Sequence, residues 1–191
     1  MRMTASILWW VSIVVWFAAI ATSGGAAISA FTVLPEIGAT MPGIDAYFAD
    51  DPEGAARFVA GYVTNPIFLV SDRICFFASV ACLLSFPMSG FRPCGPGVTG
   101  RIAVTLAVIA MVAQSFYLWG VAPELSIELE RWREAVLVND REAAETAWSA
   151  FDPLHEDAAT LLNVQMAMLL GAVVAGAISS ARRHGVKAPN P

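Results

Sequence analysis

The chain carries no charged side chain from position 3 to position 35, where it reads MTASILWWVSIVVWFAAIATSGGAAISAFTVLP. A helix crosses the hydrocarbon core of a bilayer with about 20 apolar residues, so this stretch is long enough for a tilted membrane span. Arg2 and the small residues near Ser29 also resemble a secretory signal peptide. We favour an uncleaved span, because the apolar stretch continues well past the length of a signal sequence.

Three more uncharged runs cover 74–91, 102–123 and 158–181. Of the 191 residues, 57% are apolar and 14% are charged, and the mean hydropathy is +0.63, which is unlike a soluble globular protein. The sequence therefore predicts an all-α integral membrane four-helix bundle that forms a single membrane domain over 1–191. The four spans are expected near 7–34, 66–86, 102–122 and 158–180.

The few charges are distributed unevenly between the two ends of these spans. Basic residues without any acid flank one end, and the acids other than Asp72 fall on the other side. The positive-inside rule then places both termini, the 87–101 loop and the 181–191 tail in the cytoplasm, so the protein would be a multi-pass protein of the plasma (inner) membrane. The basic residues concerned are Arg2, Arg92, Arg101, Arg182, Arg183 and Lys187.

Two longer segments, 35–65 and 123–157, would then lie outside. In the first, Asp51-Pro52 is typical of a helix N-cap followed by proline at the first helical position and predicts a helix over 52–63. Asn65-Pro66 repeats the pattern and is expected to begin the second span. The net charge of −5 argues against nucleic acid as a partner.

The segment 123–157 predicts a helical hairpin that caps the bundle on its outer side. Leu125, Leu129, Trp132 and Val136 form one apolar stripe with helical spacing. Asn139-Asp140 is expected to form the turn, and a second helix is expected over 141–151. Asp152-Pro153 would open the fourth span. The charged face of this extracytoplasmic cap is either solvated or a docking surface for another protein.

Small residues recur at every fourth position in three spans. Close approach through small side chains packs helices together in lipid, so we expect these rows to form the packing faces of the bundle. Cys75 and Cys82 share a helix face and are interpreted as small packing residues, and the odd number of cysteines does not form a disulfide framework. Trp9-Trp10 and Tyr117/Trp119 are expected at the two membrane interfaces. The three rows are Ala21/Gly25/Ser29, Ser71/Cys75/Ser79 and Gly171/Ala175/Ser179.

Two stretches carry a family resemblance. They are Gly25–Pro35, with Phe31 and Val33, and Arg101 to about Gly176, with Ser115-Phe-Tyr, Val121-Ala-Pro, Phe151, Leu154-His155 and Leu161-Leu-Asn163. The pattern resembles the small four-span domain of unknown function that includes transmembrane protein 205. The sequence departs from it directly after the histidine, where Glu156-Asp-Ala-Ala replaces a small residue and a serine. The resemblance implies a four-span topology, which the family shares with copper-resistance-type and haem-linked membrane proteins.

Polar residues inside the predicted spans are the candidate ligand or ion site, because such groups are costly in lipid. They lie at a similar depth in the outer half of three spans: Asp72, Arg73, Gln114, Asn163 and Gln165. Arg73 could instead snorkel to the membrane surface. Asp72 cannot face Arg73 on one helix, so Gln114 or Asn163 is predicted as its partner. A structural hydrogen-bond network is the alternative to a site.

His155, Glu156 and Asp152 lie one turn apart at the start of the fourth span, which makes them a weak candidate metal site. No cofactor is expected, although haem or copper bound by a membrane redox protein stays open as an alternative. We expect a non-catalytic protein that binds or passes a small solute or ion, or that assists a larger membrane complex. A purely structural subunit, either self-associating or bound to another membrane protein, is the third hypothesis.

Overall fold

The computed structural model describes residues 2–88 and 97–185, and every element of those ranges is helical. Most of the predicted cytoplasmic loop with Cys94, and the end of the predicted tail, lie outside the described residues. The elements are α1 (Arg2–Glu36), α2 (Pro52–Met88), α3 (Val98–Phe116), a π-helical turn (Tyr117–Val121), α4 (Ala122–Leu137) and α5 (Arg141–Gly185).

Four helical stretches are long and apolar enough to cross a membrane, as the uncharged runs predict. Each is longer than the predicted span, because the helix continues into the flanking polar segments. The third stretch joins α3, the π turn and α4 without a break from Val98 to Leu137. The described part of the chain is therefore that of a multi-pass, all-helical membrane protein.

Two predicted helix boundaries are wrong. Pro66 was expected to begin a new helix and Pro153 was expected to open the fourth span, yet α2 and α5 run through both. A proline inside a helix removes one backbone hydrogen bond and costs about 3 kcal/mol in a soluble peptide. Tertiary context routinely overrides such preferences, so local propensity does not decide the boundary here.

Other local predictions are confirmed. The helix α2 begins at Pro52, and the backbone N–H of Gly54 donates to Asp51 Oδ1 at 2.8 Å, which is an N-cap bond. The hairpin turn lies where it was predicted, because Asn139 adopts a left-handed conformation with φ 57° between α4 and α5. Asp140 then caps α5 by accepting a bond from the N–H of Ala143 at 3.0 Å.

The chain divides into two compact units. The first comprises Met1–Ile20, Arg73–Gln114 and Leu162–Pro191, and the second comprises Ala21–Asp72 and Ser115–Leu161. In the first unit, α3 presents a face of alanines to the core, at Ala103, Ala107 and Ala110, all with 0% exposure. Small side chains allow helix backbones to approach closely, so large side chains from other helices fill the space beside them: Trp9, Ile13, Trp16, Ile20 and Leu169.

Two glycines of α5 mark the closest helix contacts in the first unit. A Cβ at Gly171 would lie 3.0 Å from Leu106 Cδ1 of α3, and the ring of Trp10 occupies the space that a Cβ at Gly176 would fill. Trp9 is 1% exposed and packs against Phe86, with ring centroids 6.0 Å apart. Trp9 and Trp10 were expected at the membrane interface. Trp9 lies in the core of the first unit, and Trp10 packs against that core.

The three predicted rows of small residues differ in how far they are buried. In Ser71/Cys75/Ser79, Ser71 and Cys75 are buried, and in Gly171/Ala175/Ser179, Ser179 is buried and Gly171 touches Leu106. Cys75 and Cys82 are buried, as expected of packing residues. The row Ala21/Gly25/Ser29 is exposed throughout, and nothing lies within 4 Å of a Cβ placed at Gly25. Its prediction as a packing face is wrong within this chain.

The second unit is held together by a series of aromatic rings. Neighbouring centroids lie 4.8 to 5.7 Å apart, which is the favourable range for aromatic pairs. The predicted apolar stripe of α4 enters this core through Trp132 and the fully buried Val136. The series runs through Tyr47, Phe48, Phe58, Trp132, Trp148, Phe151 and His155.

The close packing at Gly176 predicts a size limit at that position. Gly176→Ala should destabilise the protein by about 1–3 kcal/mol, because overpacking of a filled core costs that much and the Trp10 ring must move. Gly25→Ala is the matched control, since its helical site is open and alanine has the higher helix propensity. Thermal unfolding in one detergent, followed by circular dichroism, measures both. Equal melting temperatures for the two variants would contradict the assigned contact.

Candidate functional site

The five predicted site residues fall in both compact units. Asp72 is the last residue of a second-unit segment, whereas Arg73, Gln114, Asn163 and Gln165 belong to the first unit. They therefore form two separate groups, one in each unit.

Asp72 has a partner that the sequence interpretation missed. Tyr117, 5% exposed and the first residue of the π turn, donates its hydroxyl to Asp72 Oδ2 at 3.0 Å. Tyr117 was expected at the membrane interface, and Gln114 or Asn163 was expected to bind Asp72. The π turn changes the direction in which the following side chains point relative to a regular α-helix, and sequence periodicity does not reveal that change.

A second polar contact lies one residue before Asp72. The hydroxyl of Ser71 donates to Ser23 Oγ at 3.3 Å and joins α2 to α1 within the second unit. The Asp72–Tyr117 bond joins α2 to the π turn in the same unit. These two bonds therefore join neighbouring helical elements within the second unit.

Gln114 and Gln165 form the second group, and both are buried in the apolar core of the first unit. Their exposures are 3% and 0%, and neither amide oxygen nor amide nitrogen has a hydrogen-bond partner. Gln114 continues the alanine face of α3, four residues after Ala110. Gln165 lies four residues before the fully buried Leu169 on α5. The helical spacing therefore turns both amides toward the core.

The contact between Leu106 and Gly171 sets the register of α3 and α5 and brings the two amides to a similar level. Consecutive membrane helices run antiparallel, so Gln114 lies eight residues and Gln165 six residues beyond this contact in the same direction. At 1.5 Å per residue, their backbones differ by about 3 Å along the helix axis. Side chains tilt toward the N-terminus of their own helix, so these two tilt toward each other.

The other two residues of the first unit lie at its surface. Arg73 and Asn163 are both exposed. They are separate from Gln114 and Gln165, the two members of the predicted polar layer that are buried in this unit.

The weak metal candidates are also exposed. Asp152, His155 and Glu156 lie on the surface of α5, where the His155 ring stacks on Phe151 with centroids 5.4 Å apart. Within residues 2–88 and 97–185, no group of three His, Cys, Asp or Glu side chains is arranged to hold a metal ion. The His155 ring therefore has a packing contact with Phe151.

An open groove of about 730 Å³ lies between α4 and the start of α5. It is lined by acidic side chains and by Arg131, which pairs with Glu128 at 2.6 Å. None of the predicted site residues lines it. The groove is a surface feature of the hairpin.

Arg133 is a further residue that the sequence did not single out. It is 6% exposed, donates through Nη2 to the carbonyl oxygen of Gly61 at 3.0 Å, and lies over the Tyr62 ring at 5.2 Å. It therefore fastens α4 to α2. Sequence spacing offered a signal, since Arg133 lies one position from the apolar stripe at Trp132, but the stripe alone did not show that the guanidinium would be buried.

Comparisons with known proteins assign no family to this chain, because no family model, curated protein or solved structure matches it. The resemblance to the transmembrane protein 205 family stays a prediction from the sequence.

The bond between Asp72 and Tyr117 predicts a measurable coupling. Tyr117→Phe and Asp72→Leu should each destabilise the protein, and the double variant should lose less than the sum. A coupling of about 0.5–1.5 kcal/mol is expected for one intramolecular hydrogen bond. Unfolding free energies of the four proteins in a double-mutant cycle measure it. Strict additivity would show that the two side chains do not interact in the membrane-embedded protein.

Proposed function

We propose that this chain is a non-catalytic inner-membrane protein that binds a small polar solute inside its helical bundle and passes it across the membrane. Gln114 and Gln165 are the residues that bind the solute. The observation that carries the proposal is the pair of buried amides, without hydrogen-bond partners, at one level of an otherwise apolar core.

Buried polar groups without partners are energetically costly. A buried polar group without a partner costs about 1–3 kcal/mol, and a whole domain is stable by only about 5–15 kcal/mol. Native proteins satisfy nearly all such groups. Two unpartnered amides in one core are therefore expected to serve a molecule that comes from outside the chain. Asp72 and Tyr117 bind each other, so the proposed solute site does not require them.

Orientation follows from the basic residues near the helix ends. Both termini lie in the cytoplasm, and the hairpin of α4 and the start of α5 forms an extracytoplasmic cap. The excess of arginine at one side supports this placement through the positive-inside rule. The solute would accordingly enter or leave beside the acidic hairpin.

Stopped-flow light scattering on proteoliposomes tests the function. Water, glycerol and urea are the neutral probes, and K⁺ and Cl⁻ uptake is followed with ion-sensitive dyes. The protein should admit at least one probe faster than protein-free liposomes do. Gln114→Met and Gln165→Met should each lower that rate toward the protein-free rate, because methionine keeps the length of the side chain without its hydrogen bonds.

Stability separates this effect from misfolding. Replacing an unpartnered buried amide by an apolar side chain of similar shape is neutral or stabilising, so both methionine variants should melt at or above the wild-type temperature. Thr105→Leu is the matched control, because Thr105 is an exposed polar residue of α3. If the methionine variants melt lower than wild type and transport at the wild-type rate, the amides are structural and the proposal fails.

Chemical labelling of the cysteines tests the proposed orientation. Cys75 and Cys82 are 2% and 0% exposed, so a membrane-impermeant maleimide should report on Cys94, which the topology places in the cytoplasm. In intact cells Cys94 should stay unlabelled, and in opened cells it should react, while Cys94→Ser should abolish the signal. Labelling of Cys94 from outside would reverse the topology.

A further inference from the structure

Four buried side chains of the described residues have polar atoms without partners, and all four lie in the first unit. Two of them are Gln114 and Gln165. The other two are the indole N–H groups of Trp9 and Trp16, whose side chains are 1% and 0% exposed. The tryptophans were not predicted as site residues, because in the sequence they indicate only large apolar side chains.

Trp9 and Trp16 lie on one face of α1, since seven residues make almost two full helical turns. Ile13 and Ile20 complete that face in the same core. On the side of α1 that faces α2, the thiol of Cys75 from α2 lies 4.0 Å from the backbone oxygen of Trp16. Both indoles are therefore held inside the core by packing on several sides, and their N–H groups cannot reach bulk water by moving to the surface.

The contact of Trp10 with Gly176 sets the register between the antiparallel helices α1 and α5. Trp16 lies six residues beyond that contact and Gln165 lies eleven residues beyond it, in the same direction. Their backbones are therefore about 7–8 Å apart along the helix axis, and Trp9 lies about 10 Å further from the glutamines. The four groups therefore follow one another along the core.

The charges of the first unit restrict what such a row can bind. Its buried polar side chains, in the part that the structure describes, are serines and the two glutamines, and none carries a charge. An ion that leaves water without a compensating charge is strongly disfavoured. Amides both donate and accept hydrogen bonds, and an indole only donates. The groups therefore suit a neutral molecule with an oxygen acceptor and a hydroxyl or amide donor.

We propose that the solute is neutral and small, of the size of water, urea or glycerol, and that the Trp16 indole N–H binds its oxygen next to the Gln114–Gln165 pair. Trp9 extends the same row toward the N-terminus of α1. This inference rests on the proposed function and specifies its substrate class and its path. It assigns to two core tryptophans a hydrogen-bonding role in addition to packing.

The test extends the proteoliposome assay to Trp16→Phe, which keeps an aromatic ring in the core and removes the N–H. Uptake of the neutral probe that the wild type admits should fall roughly three- to tenfold, as expected for the loss of one hydrogen bond. Trp119→Phe is the matched control, because Trp119 is 78% exposed. K⁺ and Cl⁻ uptake should equal that of protein-free liposomes in all variants.

A second measurement covers the case in which Trp16→Phe fails to fold. In the wild-type protein with ¹⁵N-labelled tryptophan, reconstituted in nanodiscs, the Trp16 indole N–H should exchange with deuterium from added D₂O within hours. Its signal is assigned through Trp16→Phe, or by elimination through the other tryptophan variants. An indole that stays protonated for days would overturn the inference, because no water-sized molecule would then reach it.

The outcomes separate the two proposals. Ion uptake that depends on Gln114 and Gln165 would leave the proposed function standing and overturn the neutral substrate. A wild-type rate in a folded Trp16→Phe variant would remove Trp16 from the path and leave the amides in place. Protein-free rates for every probe would overturn both proposals together.

Discussion

The packing of large side chains against small ones in the first unit is the constraint on which its site depends. Hydrophobic burial does not drive membrane helices together, so van der Waals contact through small residues must do so. The alanine face of α3 and the two glycines of α5 supply this contact. Since Leu106 fits at Gly171 and Trp10 at Gly176, the helices cannot slide along one another without steric overlap, and the levels of the buried polar groups follow.

The two units satisfy their polar groups in different ways. In the second unit, Asp72 binds Tyr117, and Arg133 binds Gly61 while it packs on Tyr62, so these buried or half-buried side chains hold helices together. In the first unit, the amides and indoles have no such partners. Groups that already bind each other stabilise the fold, whereas the unpartnered groups keep their capacity to donate or accept a hydrogen bond. This contrast is why the proposed function uses Gln114 and Gln165 rather than Asp72.

Local sequence signals succeeded where short-range chemistry decides the structure and were wrong where packing overrides it. Asp51 caps α2, and Asn139-Asp140 forms the hairpin turn, because each depends on a few neighbouring residues. Pro66 and Pro153 carried the same kind of signal, yet both lie inside continuous helices. Tertiary contacts override local propensity, so one proline does not end either helix.

The sequence by itself determined the four apolar helices, the helical hairpin and the identity of five polar residues that are unusual within spans. Hydropathy and charge act along the chain and can be counted there. Only the tertiary structure decided that Tyr117 binds Asp72, that Arg73 and Asn163 are exposed, and that the two glutamines are buried with no partner. Those outcomes depend on helix rotation and register, which are set by side chains from other helices and by the π turn.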